Sequence, residues 1–240
     1  MLARMDPATY AERWEIESKH LSSAGLYERL SEIAPPGRTL EIGCGIGLGT
    51  LALAATRKVL ALDSNVVLIE KVRARLLTSG GDAELVETDF LTPSEEPAKA
   101  IQRFQPEVIV GWFLGSNADD QDKHVPLEVS PLDRVKKYRE RIEDAMLAEP
   151  LCPASVEWIH LATRGEMVAG VSEDFARRDE KENYDEYVFL PKGFEVVDVQ
   201  FLDWNNNDST FSYIQAQNAR LIAGATVPKV TSLLARRKRT

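Results

Sequence analysis

Cysteine is almost absent from this chain. Cys44 and Cys152 are the only two, too few for a disulfide framework and not at metal-ligand spacing. Long apolar runs are missing too: no uncharged stretch reaches the roughly 20 residues that span a bilayer. The opening Met1-Leu2-Ala3-Arg4-Met5-Asp6 also lacks the apolar core of a secretory signal, so the expected location is cytoplasmic. Positive charge is in deficit, with 29 basic against 38 acidic residues and a net charge of −9. Four of the basic residues, Arg236, Arg237, Lys238 and Arg239, crowd the C-terminus. Without them 25 basic residues face 38 acidic ones, a balance of −13. Nucleic-acid binding draws most of its affinity from a basic face against phosphates, so a nucleic-acid substrate is disfavoured. The terminal run itself reads as a solvated tail. Histidine is scarce as well, which leaves only His20, His124 and His160 as imidazole acid–base candidates.

One glycine spacing is missing where it would matter most. The run Thr39-Leu40-Glu41-Ile42-Gly43-Cys44-Gly45-Ile46-Gly47-Leu48-Gly49-Thr50 reads as a strand turning through glycines into a helix. A dinucleotide fingerprint requires G-x-G-x-x-G. Counted from Gly43 its third glycine falls on Leu48, and counted from Gly45 it falls on Thr50, so both registers fail. What stands there is E-x-G-x-G-x-G. Glycine admits positive φ and lets a ligand lie against bare backbone, and the following helix presents unpaired N–H groups at its start.

This pattern resembles motif I of the class I S-adenosylmethionine-dependent methyltransferases. The resemblance implies S-adenosylmethionine as cofactor and S-adenosylhomocysteine as product, with Glu41, Gly43, Gly45 and Gly47 around the methionine portion. Cys44 is then a small side chain suited to close backbone approach. Two later landmarks follow in order. Lys58-Val59-Leu60-Ala61-Leu62-Asp63 is a second strand ending in an acid about 20 residues past the glycines, where such folds place the ribose carboxylate. Ser64, beside it, is a further expected cofactor contact, and Ser64 or Asn65 can cap the next helix. A third strand near Ala83-Glu84-Leu85-Val86 leads to Asp89 and Phe90, which the resemblance places at the adenine amino group and ring. Trp112, at the end of the fourth strand, completes the expected cofactor contacts.

The fold class expected is α/β: a Rossmann-like seven-stranded methyltransferase sheet with helices on both faces and an antiparallel C-terminal hairpin. Residues 1–37 read as an N-terminal helical cap, 38–218 as the cofactor-binding domain and 219–240 as a tail with a basic end. The helix after Asp63 presents Val66, Ile69, Val72 and Leu76 on one face, and the helix opened by Ser130-Pro131 presents Leu132, Val135, Ile142 and Met146. The hairpin is expected from Gly193–Val199 and Thr210–Gln215, joined tightly through Asn205–Asp208.

Ligands in open α/β sheets bind outside the carboxyl ends of the strands, so the acceptor belongs near the segment after the fourth strand. DNA-amino methyltransferases carry a Pro-Pro-aromatic motif there and this chain does not. Phe113-Leu114-Gly115-Ser116 faintly resembles enzymes that methylate the α-amino group of histidine, a likeness too short to carry a substrate. Trp112 and Phe113 are the expected walls, Ser116 and Asn117 the polar groups, and Tyr10, Trp14 and His20 the contribution of the N-terminal helices. If the acceptor must lose a proton, His124 is the first candidate base and His160 the second. The function expected is methyl transfer to a small-molecule acceptor by in-line displacement. The alternatives are a protein or peptide methyltransferase and a catalytically silent cofactor-binding subunit, and no oligomeric state follows from the sequence.

Overall fold

Three residues decide how the N-terminal segment enters the fold: Asp6 accepts from the Thr9 amide at 2.9 Å, and Pro7 stands in the first turn behind it, a cap and proline that together start helix α1, Pro7–Ser23. Next come α2 (Leu26–Ile33), β1 (Thr39–Ile42), α3 (Leu48–Ala54), β2 (Val59–Asp63), α4 (Val66–Ser79), β3 (Ala83–Glu87) and α5 (Glu95–Phe104). The second half contains β4 (Val108–Trp112), α6 (Ala118–His124), α7 (Pro131–Met146), β5 (Trp158–Val168), α8 (Glu173–Tyr184), β6 (Phe194–Asp203) and β7 (Thr226–Arg237). The computed structural model of the chain describes residues 5–115, 117–207, 209–211 and 226–239, with the backbone alone at Pro131 and Leu132.

The strands form one seven-stranded sheet in the order β3-β2-β1-β4-β5-β7-β6. Pairing is parallel from β3 to β5 and antiparallel where β7 lies between β5 and β6. Strands β1, β2 and β4 are buried along their whole length, as parallel strands covered on both faces must be. Their side chains alternate between two cores. Leu40, Ile42, Leu60 and Ile109 face α5 and α7 through Ile101, Ile142 and Met146, while Ala61, Val108 and Val110 face α1 to α4 through Leu21, Leu30, Leu53 and Ile69. The strand order reverses between β1 and β4, so a crevice opens at their carboxyl ends. Among the described residues no helix is long and apolar enough to cross a membrane.

Three expectations are corrected. The antiparallel partner of β6 is Thr226–Arg237, not Thr210–Gln215. Thr210 and Phe211 lie in the connection, and 212–215 fall outside the described residues. The first half of the basic end, Arg236 and Arg237, is accordingly part of a central strand, while Lys238 and Arg239 follow it exposed to solvent. Val230, Leu233 and Ala235 are buried, and Arg236 and Arg237 stack on Trp158 and Phe194 at 4.8 and 4.5 Å, so aromatic faces absorb charges that the sequence reads as terminal. On the helices, Val66 and Val135 face solvent at 51% and 57% exposure; the buried stripes begin two to three residues later, at Leu68 with Ile69 and at Tyr138, which Ile142 and Met146 continue. The side chain of Leu132 lies outside the description.

Candidate cofactor and acceptor site

The glycine turn and the acid of β2 meet at the crevice. Gly43, Gly45 and Gly47 all have positive φ, at 69°, 57° and 83°, a conformation that a Cβ disfavours. The amides of Gly43 and Cys44 donate to the carbonyl of Leu62 at 2.8 and 3.0 Å, tying the turn to the end of β2. Asp63 completes the tie: Oδ2 accepts from the Gly45 amide and Oδ1 from the Asn65 amide, both at 2.9 Å. Burial pushes the Asp63 carboxyl up to about 6; the two amide bonds oppose the shift and Asp120 adds to it. Each oxygen keeps a second lone pair for a ligand donor.

Side chains lie directly on this turn. A Cβ built on Gly45 would collide with Nε1 of Trp14, and one on Gly43 would stand 2.6 Å from Cδ2 of Leu114. Of the residues expected at the site, Tyr10, Trp14, Gly43, Gly45, Asp63, Ser64, Phe90, Phe113 and Asn117 line the cleft, together with Asn65, Leu68, Leu114, Gly115, Asp120 and Tyr138. Phe113 reaches it through a left-handed backbone, φ 57°, an arrangement that costs on the order of 1–2 kcal/mol in a non-glycine residue. Ser116 lies outside the described residues.

The other expected residues are placed elsewhere, and the alternation of strand faces accounts for the three that stand on strands, Glu41, Trp112 and His160. Glu41 points away from the cleft: its Oε2 accepts from Thr50 Oγ1 at 2.6 Å, and burial pushes its carboxyl up to about 8. Glu41 therefore braces β1 against α3. Gly47 caps α3 against Val72, and Cys44 is a buried thiol held above its ordinary range by desolvation. Trp112 is buried behind the turn, and its indole N–H donates to Nδ1 of His160 at 3.2 Å.

Because an indole N–H only donates, Nδ1 of His160 accepts and the proton sits on Nε2, 2.8 Å from Ser232 Oγ. His160 is fully buried and desolvation lowers its pKa to about 3, so it is a neutral packing residue and not a base for the cleft. His124 turns to the adenine candidate: its Nε2 lies 2.8 Å from Oδ2 of Asp89, and its ring tilts on Tyr138. Neither His124 nor Asp89 lines the cleft. His20 is exposed near the end of α1.

Three features escaped the sequence. The acidic segment after β4 is the short helix α6, whose cap is Asn117: its Oδ1 accepts from the amides of Asp119 and Asp120 at 2.9 and 3.1 Å. The Asx cap followed by two acids was the available signal. Asp120 lines the cleft and accepts from Ser64 and Asn117, each at 3.3 Å. The third feature is an ion pair. Glu17 of α1, only 1% exposed, accepts from Arg164 Nη1 of β5 at 2.7 Å, and the guanidinium lies 5.1 Å from the ring centre of Trp14, 6.0 Å from Phe113, 5.9 Å from Trp204 and 5.6 Å from Phe211. No local pattern marks either residue, because the pair spans 147 positions.

No protein-family model and no curated protein matches the chain. Among solved structures it is similar to a TehB-like SAM-dependent methyltransferase from Corynebacterium glutamicum, at 18% identity and TM-score 0.50, over 97% of this chain and all of that one. It is also similar to the 4+2 cyclase SpnF, at 13% identity and TM-score 0.52, over 91% of this chain and 81% of that one. The fold is that of the SAM-dependent methyltransferases. Because a cyclase shares it, the reaction has to be argued from the site.

Proposed function

We propose that this protein is an S-adenosylmethionine-dependent methyltransferase acting on a small-molecule acceptor. The observation that carries the reading is the juxtaposition of Asp63 with the glycine turn at adjacent strand ends, in this fold. The residues fit the cofactor: Gly43 and Gly45 offer backbone without a Cβ, Asp63 offers two acceptor oxygens for the ribose hydroxyls, and Phe90 with Leu68 offers apolar surface for the adenine. Asp120, held by Ser64 and Asn117, adds a second carboxylate beside Asp63. Bound there, S-adenosylmethionine supplies a methyl group activated by its sulfonium, which passes to the acceptor's lone pair as the carbon–sulfur pair stays on sulfur to give S-adenosylhomocysteine.

The chain's own contribution is alignment and exclusion of water. Tyr10, Trp14 and Phe113 wall the cleft beside the turn, and an enclosed aromatic wall suits a small acceptor better than an extended peptide. Holding acceptor and methyl at near-attack distance accounts for on the order of 7–11 kcal/mol in the best intramolecular models. Burial keeps the Tyr10 phenol protonated, and the two histidines first considered as bases point elsewhere, so the site favours an acceptor that arrives with its lone pair free.

Calorimetry on the full chain tests the reading. S-adenosylhomocysteine should bind one per chain, and Asp63→Ala should weaken it by about 1.5–3 kcal/mol, roughly 10- to 150-fold. NAD should not compete at comparable concentration. Absence of binding, or undiminished binding by the variant, overturns the assignment.

A further inference from the structure

We propose that the donors gathered around Glu17 form a receptor for the carboxylate of the methyl acceptor, and that Glu17 fills it as an internal stand-in while α1 is closed. The acceptor is then a small organic anion with an aromatic or apolar body. This deepens the methyltransferase reading and rests on it for the identity of the neighbouring cofactor site.

The receptor joins a strand to the connection after β6, and its occupant comes from α1, to which that connection is also tied by the Thr210 hydroxyl on the Arg13 carbonyl at 3.0 Å. Glu17 takes hydrogen bonds from Arg164 Nη1 at 2.7 Å, from Ser209 Oγ at 2.9 and 3.0 Å, and from the Thr210 amide at 3.0 Å. Arg164 stands on β5, and Ser209 and Thr210 belong to the connection after β6. With the Thr210 hydroxyl, shared with the Arg13 carbonyl, as a fourth at 3.4 Å, the donor groups converging on this buried carboxylate satisfy most of its lone pairs, which is what desolvating an anion requires. Phe113, Trp204 and Phe211 surround the guanidinium, and Phe113 also lines the cleft. Receptor and cleft therefore share a wall, and an acceptor seated on Arg164 has its body against aromatic rings on the side of the glycine turn.

The residues that α1 contributes are the ones an incoming ligand must replace. Trp14 lies against Gly45, where the cofactor needs bare backbone, and Glu17 stands one turn further along the same helix. A displacement of α1 that uncovers Gly45 carries Glu17 out of the receptor as well. Arg164, 12% exposed, then remains among the rings without that carboxylate, an unfavourable arrangement for a charge so largely desolvated, and an acceptor's carboxylate restores the pairing. Access to both halves of the site is thereby linked through one helix.

The test compares phenylacetate, its neutral amide phenylacetamide and the cation phenethylamine, titrated into the full chain with and without saturating S-adenosylhomocysteine. Phenylacetate should bind at least tenfold more tightly than either analogue. Arg164→Gln should abolish that preference and Arg164→Lys should retain part of it. Glu17→Gln, which removes the competing charge while keeping a polar side chain, should tighten phenylacetate about tenfold even without the cofactor product. The assignment fails if none of the three compounds binds, if the amide or amine binds as well as the anion, or if Glu17→Gln leaves phenylacetate binding unchanged. Loss of S-adenosylhomocysteine binding alone would overturn the cofactor reading, since the Glu17→Gln titration is read without it.

Discussion

The two ends of the cleft are built on opposite plans. At the cofactor end, the glycine turn and Asp63 sit on β1 and β2, strands paired in register with Ile42 opposite Leu62, and the deciding contact joins residues 18 positions apart. At the acceptor end, α1, β5 and the connection after β6 meet through Glu17, whose partners lie 147 to 193 positions away. The first end is fixed by strands buried on both faces. The second is held by side chains of a helix that contributes no strand to the sheet. A ligand at the first end meets a cradle that the strands preform and a single indole, Trp14, covers, whereas one at the second has to replace the carboxylate around which the donors themselves are gathered. Binding at the first should accordingly be sensitive to single atoms, and binding at the second to the position of α1.

The largest expected effect tests whether the acceptor end is held by the ion pair. Glu17→Ala removes the buried carboxylate from the largely enclosed Arg164 side chain, 12% exposed, and should lower stability by about 3 kcal/mol, read as a shift of the denaturant midpoint at constant slope. The double change Glu17→Leu with Arg164→Met should recover most of that loss. A single variant as stable as the parent chain would mean that the acceptor end is held by packing alone.

A second test sharpens the contrast from the cofactor side through pH. Burial raises Asp63 to about 6, and a protonated acid makes a poorer acceptor for two ribose hydroxyls. S-adenosylhomocysteine affinity should therefore be level above pH 6 and fall below it, approaching tenfold per pH unit. Stability runs the other way. A carboxyl whose pKa is raised by folding contributes stability that is present below its unfolded pKa and is lost as pH rises through the folded value. Asp63 near 6 and Glu41 near 8 should thus make the free protein progressively less stable between pH 4 and 8. Affinity independent of pH across 5 to 7 would place the ligand away from Asp63.

The smallest effect concerns Trp14, which bridges the two ends. Trp14→Ala removes the ring from Gly45, so S-adenosylhomocysteine affinity should rise by at most about tenfold, roughly 1.4 kcal/mol, while turnover falls because the acceptor loses a wall. Weaker product binding by this variant, measured by calorimetry, would mean that the indole contacts the cofactor instead of excluding it.

The same contrast decides what the amino-acid order alone discloses. Gly43, Gly45, Asp63 and Phe90 are legible because a short motif, a strand end and a turn are local events with fixed spacing. Glu41 and Trp112 belong to the same motifs yet face away, since position on a strand does not give the side chain's role at its end. His160 illustrates the limit: an imidazole on β5 reads as a candidate base until Trp112 and Ser232, 48 and 72 positions distant, take both nitrogens. Strand β7 was hidden by its composition, because Arg236 and Arg237 look solvated until the rings of Trp158 and Phe194 are in place. Arg164 had no local signal at all.

The most direct test of the central claim is a structure determined with S-adenosylhomocysteine bound. The ribose hydroxyls should lie on the Asp63 oxygens, the homocysteine portion along Gly43 and Gly45, and the Trp14 indole should have left its contact with Gly45. A ligand bound elsewhere, or one seated at Asp63 with Trp14 still against Gly45, would contradict the account of a preformed cradle covered by α1.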